Sequence, residues 1–247
     1  MALLCFLYLL GGLLLAGALL VIIRSLWEPH QLEVISADLL TEDDAPTAVL
    51  RVAFFSDLHA NLCFLSPTRL ADALLSFDCD VILFAGDVCA RHKDMRPGLS
   101  YLKTIADRAY EKGCPCYAVR GNHDAAIPKT AYADAGFTLL ENESAVVKDA
   151  HGHDFVIIGV DDTSRSVCPF GEQPHAIYRG CPVGNRVVLV HNPQYLLTPK
   201  QLRYAWQLSG HFHGRQIYLP FHLEFYLLRH EPIARQGILK GRFEKND

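Results

Sequence analysis

The stretch from Val49 to His59, Val-Leu-Arg-Val-Ala-Phe-Phe-Ser-Asp-Leu-His, decides the fold and the kind of site it carries. The apolar run Val49–Phe55 is typical of a buried strand, and Ser56-Asp57-Leu58-His59 follows it directly. Four later segments repeat this arrangement: Gly86-Asp87 after Val81–Ala85, Gly121-Asn122-His123-Asp124 after Cys116–Val119, His191-Asn192-Pro193 after Arg186–Val190, and Gly210-His211-Phe212-His213 after Trp206–Ser209. Open α/β folds place their sites at one edge of a sheet, so we expect these side chains to meet there.

The side chains of these five segments form a set of metal donors. They offer carboxylate oxygen, amide oxygen and imidazole nitrogen, which suits Mn²⁺, Fe or Zn²⁺ and does not suit a cysteine-built structural zinc. In an extended chain, residues i and i+2 point to the same side. We therefore expect one cation to be bound by the pair Asp57 and His59. We expect the pair His211 and His213 likewise to bind one cation together.

The number of donors exceeds what one ion needs, so we expect two divalent ions that share a bridging group. With only Asp57 and Asp87 as formal anions, such a site keeps net positive charge. It would attract a phosphoryl group, and two metals can stabilise both the attacking and the leaving oxygen of an in-line displacement.

The order Asp-x-His, Gly-Asp, Gly-Asn-His-Asp, His, Gly-His-x-His resembles the calcineurin-like metallophosphoesterases. The segments His191-Asn192-Pro193 and Gly210–Gln216 look most like a bacterial membrane-associated branch, which includes a UDP-2,3-diacylglucosamine pyrophosphatase of lipid A synthesis. The likeness covers residues 49 to 219, which contain every metal position of the family pattern.

The resemblance implies a role for each motif residue. Asp57, His59 and His213 would hold the first metal, and Asp87 would bridge. The second metal would be held by Asn122, His191 and His211. Beside the metals, His123 would donate a proton to the leaving oxygen or stabilise phosphoryl charge, with Asp124 orienting its ring. Mn²⁺ is the expected ion, with Zn²⁺ or Fe as alternatives.

Two positions depart from the family's usual Gly-His-Thr-His-Gly-Gly-Gln segment. Phe212 replaces Thr and Arg215 replaces Gly, and neither is a ligand. Arg215 could contact an anionic substrate. The seven other histidines are expected to be surface or satisfied core residues: His30, His92, His151, His153, His175, His222 and His230.

The amino-terminal segment predicts a membrane anchor. Ala2 to Ile23 has no charged residue, and about 22 residues at 1.5 Å each span roughly 33 Å, enough for a bilayer core. A cleaved signal peptide is the alternative, because Ala16-Gly17-Ala18 mimics a cleavage site. Arg24 is the basic residue that flanks the span, which favours a single-pass protein of the inner membrane with a cytoplasmic catalytic domain.

These features divide the chain into an anchor (1–24), an acidic connector (25–48) and a metallophosphoesterase domain (49–247). Between the motifs we predict helices over 66–76, with Ser66 as N-cap, over 99–112, ended by Gly113, and over 129–135, ended by Gly136.

Strands that alternate with helices up to Leu140 predict a mainly parallel first sheet. Ala145–Val147 and Phe155–Val160 predict a strand pair, joined by a turn at 149–153, in a second sheet packed on the first. The resemblance implies the same architecture, a four-layer αββα sandwich, here with an N-terminal transmembrane helix.

The charge of the chain argues against nucleic acid as a partner. The formal net charge is −4 and no cluster of Lys and Arg follows any element, so nucleic acid is not expected as a substrate. Cys63, Cys79 and Cys89 lie next to motif strands and are expected to be small packing residues.

Three functions follow from these patterns. The first is a membrane-anchored dinuclear hydrolase of a phosphoester or pyrophosphate, with a phosphorylated, lipid-linked substrate such as UDP-2,3-diacylglucosamine. The second is a general phosphodiesterase or phosphatase. The third, a metal-binding scaffold without catalysis, is disfavoured because no motif position is missing.

Overall fold

Two four-stranded β-sheets lie at the centre of the protein. The computed structural model describes residues 1–38, 48–90, 94–161, 180–197, 203–214 and 231–243. The first sheet has the order β1-β2-β3-β4 and is parallel throughout; its strands are β1 (Val52–Phe55), β2 (Val81–Phe84), β3 (Cys116–Ala118) and β4 (Thr138–Leu139). The second has the order β5-β6-β7-β8; its strands are β5 (Ser144–Lys148), β6 (Asp154–Val160), β7 (Arg186–Val190) and β8 (Trp206–Leu208).

In the second sheet, β5 and β6 are antiparallel, whereas β6, β7 and β8 are parallel. The helices are α1 (Ala2–Trp27), α2 (Pro67–Leu74), α3 (Arg96–Glu111), α4 (Lys129–Asp134) and α5 (Pro232–Arg235), with 3₁₀ turns at Glu28–His30, Val183–Asn185 and Pro193–Leu197. The parallel first sheet and the antiparallel β5–β6 pair are both confirmed.

The central strand β2 separates two apolar cores. Its four residues are fully buried, as expected for a parallel strand covered on both faces. Ile82 and Phe84 belong to the core that α2, α3 and α4 cover, whereas Val81 and Leu83 belong to the core shared with the second sheet. A third cluster, which includes Tyr195, packs on the outer residues of β6 and β7. The two sheets therefore stack face to face, with α2, α3 and α4 outside the first sheet, and the expected α/β sandwich is confirmed.

The starts of two elements differ from the predictions by three residues, because side chains compete for backbone groups. Strand β1 begins at Val52 rather than Val49, since the Val49 N–H donates to Asp149 (3.1 Å) and the Arg51 N–H donates to Asp80 (2.7 Å). Helix α3 begins at Arg96 rather than Leu99, and the Arg96 N–H donates to the Asp94 carboxylate (3.2 Å). Such local hydrogen bonds replace ladder or helix bonds at the ends of elements.

Other local predictions agree with the structure. The Ser66 hydroxyl accepts the Arg69 N–H at 3.2 Å and caps α2, as its sequence position indicates. Cys89 is buried in the first core, and Cys63 and Cys79 pack against it. Most of the Gly- and Pro-rich stretch between 163 and 184 lies outside the described residues, as do Arg215, His92, His175, His222 and His230.

Helix α1 extends the predicted span by four residues, to Trp27. It is fully exposed, with a mean hydropathy of 2.6, so its length and composition allow it to cross a membrane or to act as a signal sequence. After it, Leu32 packs against the first core and attaches the connector to the folded domain.

Candidate metal centre

The five motif segments meet at the carboxyl ends of the parallel strands. Asp57 and His59 follow β1, Asp87 follows β2, and Asn122 to Asp124 follow β3. From the second sheet, His191 follows β7, and His211 and His213 follow β8. The sheets thus bring together, at one edge, residues that are up to 156 positions apart in the sequence.

The backbone at five of these positions is left-handed, which the extended-chain argument did not anticipate. The positive φ angles are Asp57 51°, His59 39°, Asp87 62°, His211 74° and His213 50°. Such conformations cost on the order of 1–3 kcal/mol each and cluster at functional sites. The backbone is therefore not extended at these positions, contrary to the premise from which the pairing of side chains i and i+2 was predicted. Asp57 and His59 nevertheless lie in one cluster of donors, as that pairing predicted.

Two glycines of the motifs allow the loops to pass close to one another. Gly86 has φ +86°, and a Cβ there would overlap the backbone of Gly121. A Cβ on Gly210 would overlap the hydroxyl of Ser56 and the carboxylate of Asp57. The loop after β8 therefore lies against the loop after β1, and the His211 N–H donates to the Asp57 carboxylate at 2.9 Å.

The first group of donors, which we call donor set A, consists of Asp57, His59, Asp87 and His213. One ligand atom from each lies within 4.8 Å of every other. His59 Nε2 is 3.2 Å from His213 Nε2, and His213 Nε2 is 3.4 Å from Asp57 Oδ1. Two imidazoles and two carboxylates at this spacing fit one divalent cation.

The second group, donor set B, is centred on His191. Its Nε2 is 3.1 Å from Asn122 Oδ1, 3.2 Å from His211 Nδ1 and 3.3 Å from Asp87 Oδ2. Its Nδ1 is 2.7 Å from the Ala85 carbonyl oxygen, to which it donates. Such a bond fixes the ring and aims Nε2 at the other donors. Asp87 belongs to both sets, because its Oδ2 is also 3.6 Å from His59 Nε2.

His211 and His213 therefore contribute to different sets, although the alternation of an extended chain predicts that they act together. The left-handed backbone at both residues turns the two rings apart. The resemblance implies this division, with His213 beside Asp57 and His59, and with His211 beside Asn122 and His191. The donors fit two cations that share Asp87.

Charge at the centre is unevenly distributed in the metal-free protein. Burial opposes the ionisation of Asp87, but His191 and the His123 N–H outweigh burial and lower the pKa of Asp87 to about 2. Burial likewise opposes the protonation of His191, but Asp87 outweighs it and raises the pKa of His191 to about 9. Burial is the largest influence on His59 and lowers its pKa, although Asp87 opposes the shift.

Binding of Mn²⁺ to the metal-free protein is expected to release a proton from His191. A metal ligand must be neutral, and His191 is protonated below its pKa of about 9, so metal must displace that proton at pH 7. The apparent affinity should rise with pH, by up to about tenfold per unit between pH 7 and 9. Calorimetry in buffers of different ionisation enthalpy measures the proton count. Identical heats in all buffers would contradict the prediction.

Asp124 is fully buried and supports the loops. The resemblance assigns it to the ring of His123, whereas its described hydrogen bonds come from the backbone N–H groups of Asp87 (2.7 Å), Val88 (2.9 Å) and Gly121 (3.0 Å). Burial raises the pKa of Asp124 to about 6 although these N–H groups oppose the shift. Asp124 thus ties the loop after β2 to the loop after β3 and fixes the backbone of Asp87.

His123 lies at the border of donor set A. Its N–H donates to Asp87 Oδ1 at 2.9 Å, and its ring meets that of His59 edge to face, with centroids 5.3 Å apart. The ring is partly exposed, so it can approach a substrate that contacts the metal donors.

Glu231 belongs to the centre, although none of the sequence motifs contains it. Its Oε1 is 3.0 Å from His211 Nε2, so the carboxylate contacts donor set B through the second nitrogen of that ring. Glu231 lies 20 positions beyond His211 and outside every motif, so the sequence holds no signal for it. Phe212, the departure from the family's Thr, is buried against Ile233 and Ala234, two and three positions after Glu231.

Three of the histidines expected to be ordinary surface or core residues lie in the described part of the chain, away from both donor sets. His153 pairs with Asp149 at 2.9 Å in the turn after β5, and the ring of His151 lies 6.2 Å from that of His153. His30 stacks on Phe64 with centroids 4.8 Å apart.

Comparison with known proteins agrees with this geometry. Residues 50–215 match the family model described as calcineurin-like phosphoesterase. The chain is 28% identical to the uncharacterized metallophosphoesterase YkoQ of Bacillus subtilis (strain 168), over 95% of this chain and 88% of that protein. It is also 28% identical to the phosphodiesterase YaeI of Escherichia coli (strain K12), over 78% of this chain and 71% of that protein. The chain belongs to the calcineurin-like phosphoesterase family.

Proposed function

We propose that the protein is a membrane-anchored hydrolase that cleaves a phosphoester or pyrophosphate bond at a centre of two divalent ions. The observation that carries this proposal is the meeting of donor sets A and B at the single carboxylate of Asp87. Mn²⁺ is the ion we propose, with Zn²⁺ or Fe as alternatives, because the donors combine oxygen and imidazole nitrogen without a thiolate.

The charge of the centre suits a phosphoryl group. Two divalent ions held beside Asp57 and Asp87 would leave an excess of positive charge and would supply stabilisation of the attacking and leaving oxygens. Asn122 and the histidines contribute donors without adding negative charge. We assign proton donation to the leaving oxygen to His123, and its position at the border of donor set A supports this role.

The turn that follows His59 connects the centre to the anchor. The Leu62 N–H donates to the His59 carbonyl oxygen at 2.7 Å, and Phe64 stacks on His30, three residues after α1 ends. Arg69 Nη1 donates to the His30 carbonyl oxygen at 3.3 Å. The metal-bearing loop and the end of α1 are therefore held next to each other.

Large apolar side chains on this turn are exposed, 59% for Leu62 and 60% for Phe64. Beside a membrane helix they would face the bilayer surface, where exposed apolar side chains gain free energy by burial. We therefore propose an amphiphilic substrate with its tail in the bilayer, and a nucleotide-linked lipid precursor such as UDP-2,3-diacylglucosamine fits this placement. Arg24, at the end of the span, supports a catalytic domain on the cytoplasmic side, and we propose that the membrane is the inner one.

Two assays on the full-length protein in nanodiscs test the proposed function. Turnover of bis(p-nitrophenyl) phosphate with added Mn²⁺, lost on addition of chelator, is expected of the hydrolase; a protein that binds both ions without turnover is a scaffold. Incubation with UDP-2,3-diacylglucosamine, with products resolved by mass, tests the lipid substrate. Its failure alongside hydrolysis of the small ester would favour the general phosphodiesterase.

Replacing both Leu62 and Phe64 by Ser is expected to slow hydrolysis of a membrane-held ester selectively. The probes are hexadecyl and methyl p-nitrophenyl phosphate, which share a leaving group and differ in the tail. The double variant should lose about tenfold or more on the hexadecyl ester, since each large apolar side chain contributes on the order of 1.5–3 kcal/mol when fully buried. The methyl ester should be hydrolysed at the unaltered rate.

Tyr110→Ser is the matched control, because Tyr110 is exposed on α3. It should leave both rates unchanged. Equal losses of rate on the two esters would show that the turn shapes the catalytic site itself. If the double variant loses no rate on either ester, this surface does not contribute to substrate selection.

A further inference from the structure

Glu231 contacts donor set B through the ring of His211. The carboxylate Oε1 is 3.0 Å from His211 Nε2, and Nδ1 of the same ring is 3.2 Å from His191 Nε2. The two side chains are 22% and 15% exposed, so solvent screens their interaction only in part. One ring thus joins the carboxylate to the metal donors.

This contact selects the state of the imidazole that can bind a cation. When Nε2–H donates to the carboxylate, the lone pair of a neutral ring lies on Nδ1, which faces His191. A carboxylate behind a metal-binding histidine fixes its tautomer and orientation and raises its basicity, and loss of such a partner typically costs 10–100-fold in metal affinity.

The position of Glu231 is itself held by two motif loops. Ile233, fully buried, packs with Phe212 and Leu196, and its N–H donates to Gln194 Oε1 at 3.0 Å. Gln194 lies in the 3₁₀ turn that follows His191, where its N–H donates to Asn192 at 2.9 Å. Helix α5 therefore packs against both loops that supply the histidines of donor set B.

We propose that Glu231 is a positioning residue for the metal centre: it holds His211 with Nδ1 presented to the cation of donor set B. The inference rests on the proposed function and assigns a role to a segment beyond residues 50–215, which the family model matches. It also assigns a supporting role to Phe212, whose buried ring packs against the helix that begins directly after Glu231.

Metal titration of the full-length protein tests this inference without relying on turnover. Glu231→Gln is expected to weaken one of two Mn²⁺ ions by about 10–100-fold and to leave the other within about twofold. The melting temperature of the metal-free protein should stay unchanged. Glu231→Asp, which keeps the charge on a shorter side chain, should fall between Glu231→Gln and the unaltered protein.

Two controls separate the carboxylate from the packing around it. Glu111→Gln removes an exposed charge at the end of α3 and should leave both affinities unchanged. Ile233→Ala loosens α5 but keeps Glu231, so it should lower the melting temperature, and any weakening should fall on the same ion. Addition of excess Mn²⁺ should restore most of the turnover that Glu231→Gln loses at limiting Mn²⁺.

If Glu231→Gln lowers the melting temperature but leaves the affinity for both ions unchanged, the inference is overturned. Glu231 would then only stabilise the packing of α5. Equal weakening of both ions would also overturn it, because the contact reaches donor set B alone. Fewer than two ions in the unaltered protein would refute the proposed dinuclear centre; the effect of Glu231→Gln on a remaining ion would then decide the inference by itself.

Discussion

Asp87→Ala is expected to abolish hydrolysis and to reduce the bound metal from two ions to one or none. Asp87 Oδ2 lies 3.6 Å from His59 Nε2 in donor set A and 3.3 Å from His191 Nε2 in donor set B, so each set loses its shared carboxylate. Metal analysis after gel filtration gives the stoichiometry, and bis(p-nitrophenyl) phosphate gives the rate, which should fall to that of the buffer.

The charge of Asp87 also has an effect through His191. Burial lowers the pKa of His191, and Asp87 is the largest of the groups that raise it to about 9, so the variant should lower the pKa of His191. Any metal that still binds at pH 7 should therefore release fewer protons from His191 than in the unaltered protein. This second readout does not depend on catalysis.

Two further variants control for damage to the loops. Asp87→Asn can keep the hydrogen bond from the His123 N–H, so it separates the loss of charge from the loss of loop support. Asp107→Ala removes an exposed carboxylate that pairs with Lys103 and should change neither metal content nor rate. Two tightly bound ions in Asp87→Ala would refute the bridging role.

His123→Ala is expected to keep both metals and to lose on the order of 10²–10⁴ in rate, the usual contribution of a positioned acid–base group. His123 contributes its N–H and not its ring to Asp87, so the ring is dispensable for that contact. The loss should be smaller for a p-nitrophenyl ester than for a phenyl ester of the same phosphate, since p-nitrophenolate leaves without a proton.

The comparison of the two esters distinguishes proton donation from binding. Equal losses on good and poor leaving groups would show that His123 only orients substrate or stabilises phosphoryl charge. His151→Ala, at an exposed histidine in the turn after β5, is the matched control and should leave both rates unchanged. Loss of a metal ion in His123→Ala would place His123 among the ligands.

The sequence predicted the framework because its signals are local. The apolar run of β2 indicates a strand buried on both faces, and the structure buries all four residues. Ser66 marks the start of α2 because a hydroxyl at that position can accept an N–H of the first turn. Parallel strands share the direction of their carboxyl ends, so the position of each motif in the chain was enough to predict where the motifs meet.

The detailed arrangement of the centre required the tertiary structure. Alternation along a strand assigned His211 and His213 to one cation, but the left-handed backbone at both turns them toward different donor sets. In the same loop Gly210 lies close to Ser56, a contact across two sheets that no local pattern contains. For the same reason the sequence did not indicate that Asp124 would accept the N–H groups of the loop after β2.

By itself, then, the sequence determined which residue types stand at the ends of which strands, because strand periodicity and turn chemistry act over a few neighbouring residues. Only the tertiary structure decided which donors face one another, and that Glu231 contacts His211. These contacts arise where loops from two sheets and a short distant helix pack together. The direction of each side chain there depends on long-range packing and on the sign of single φ angles.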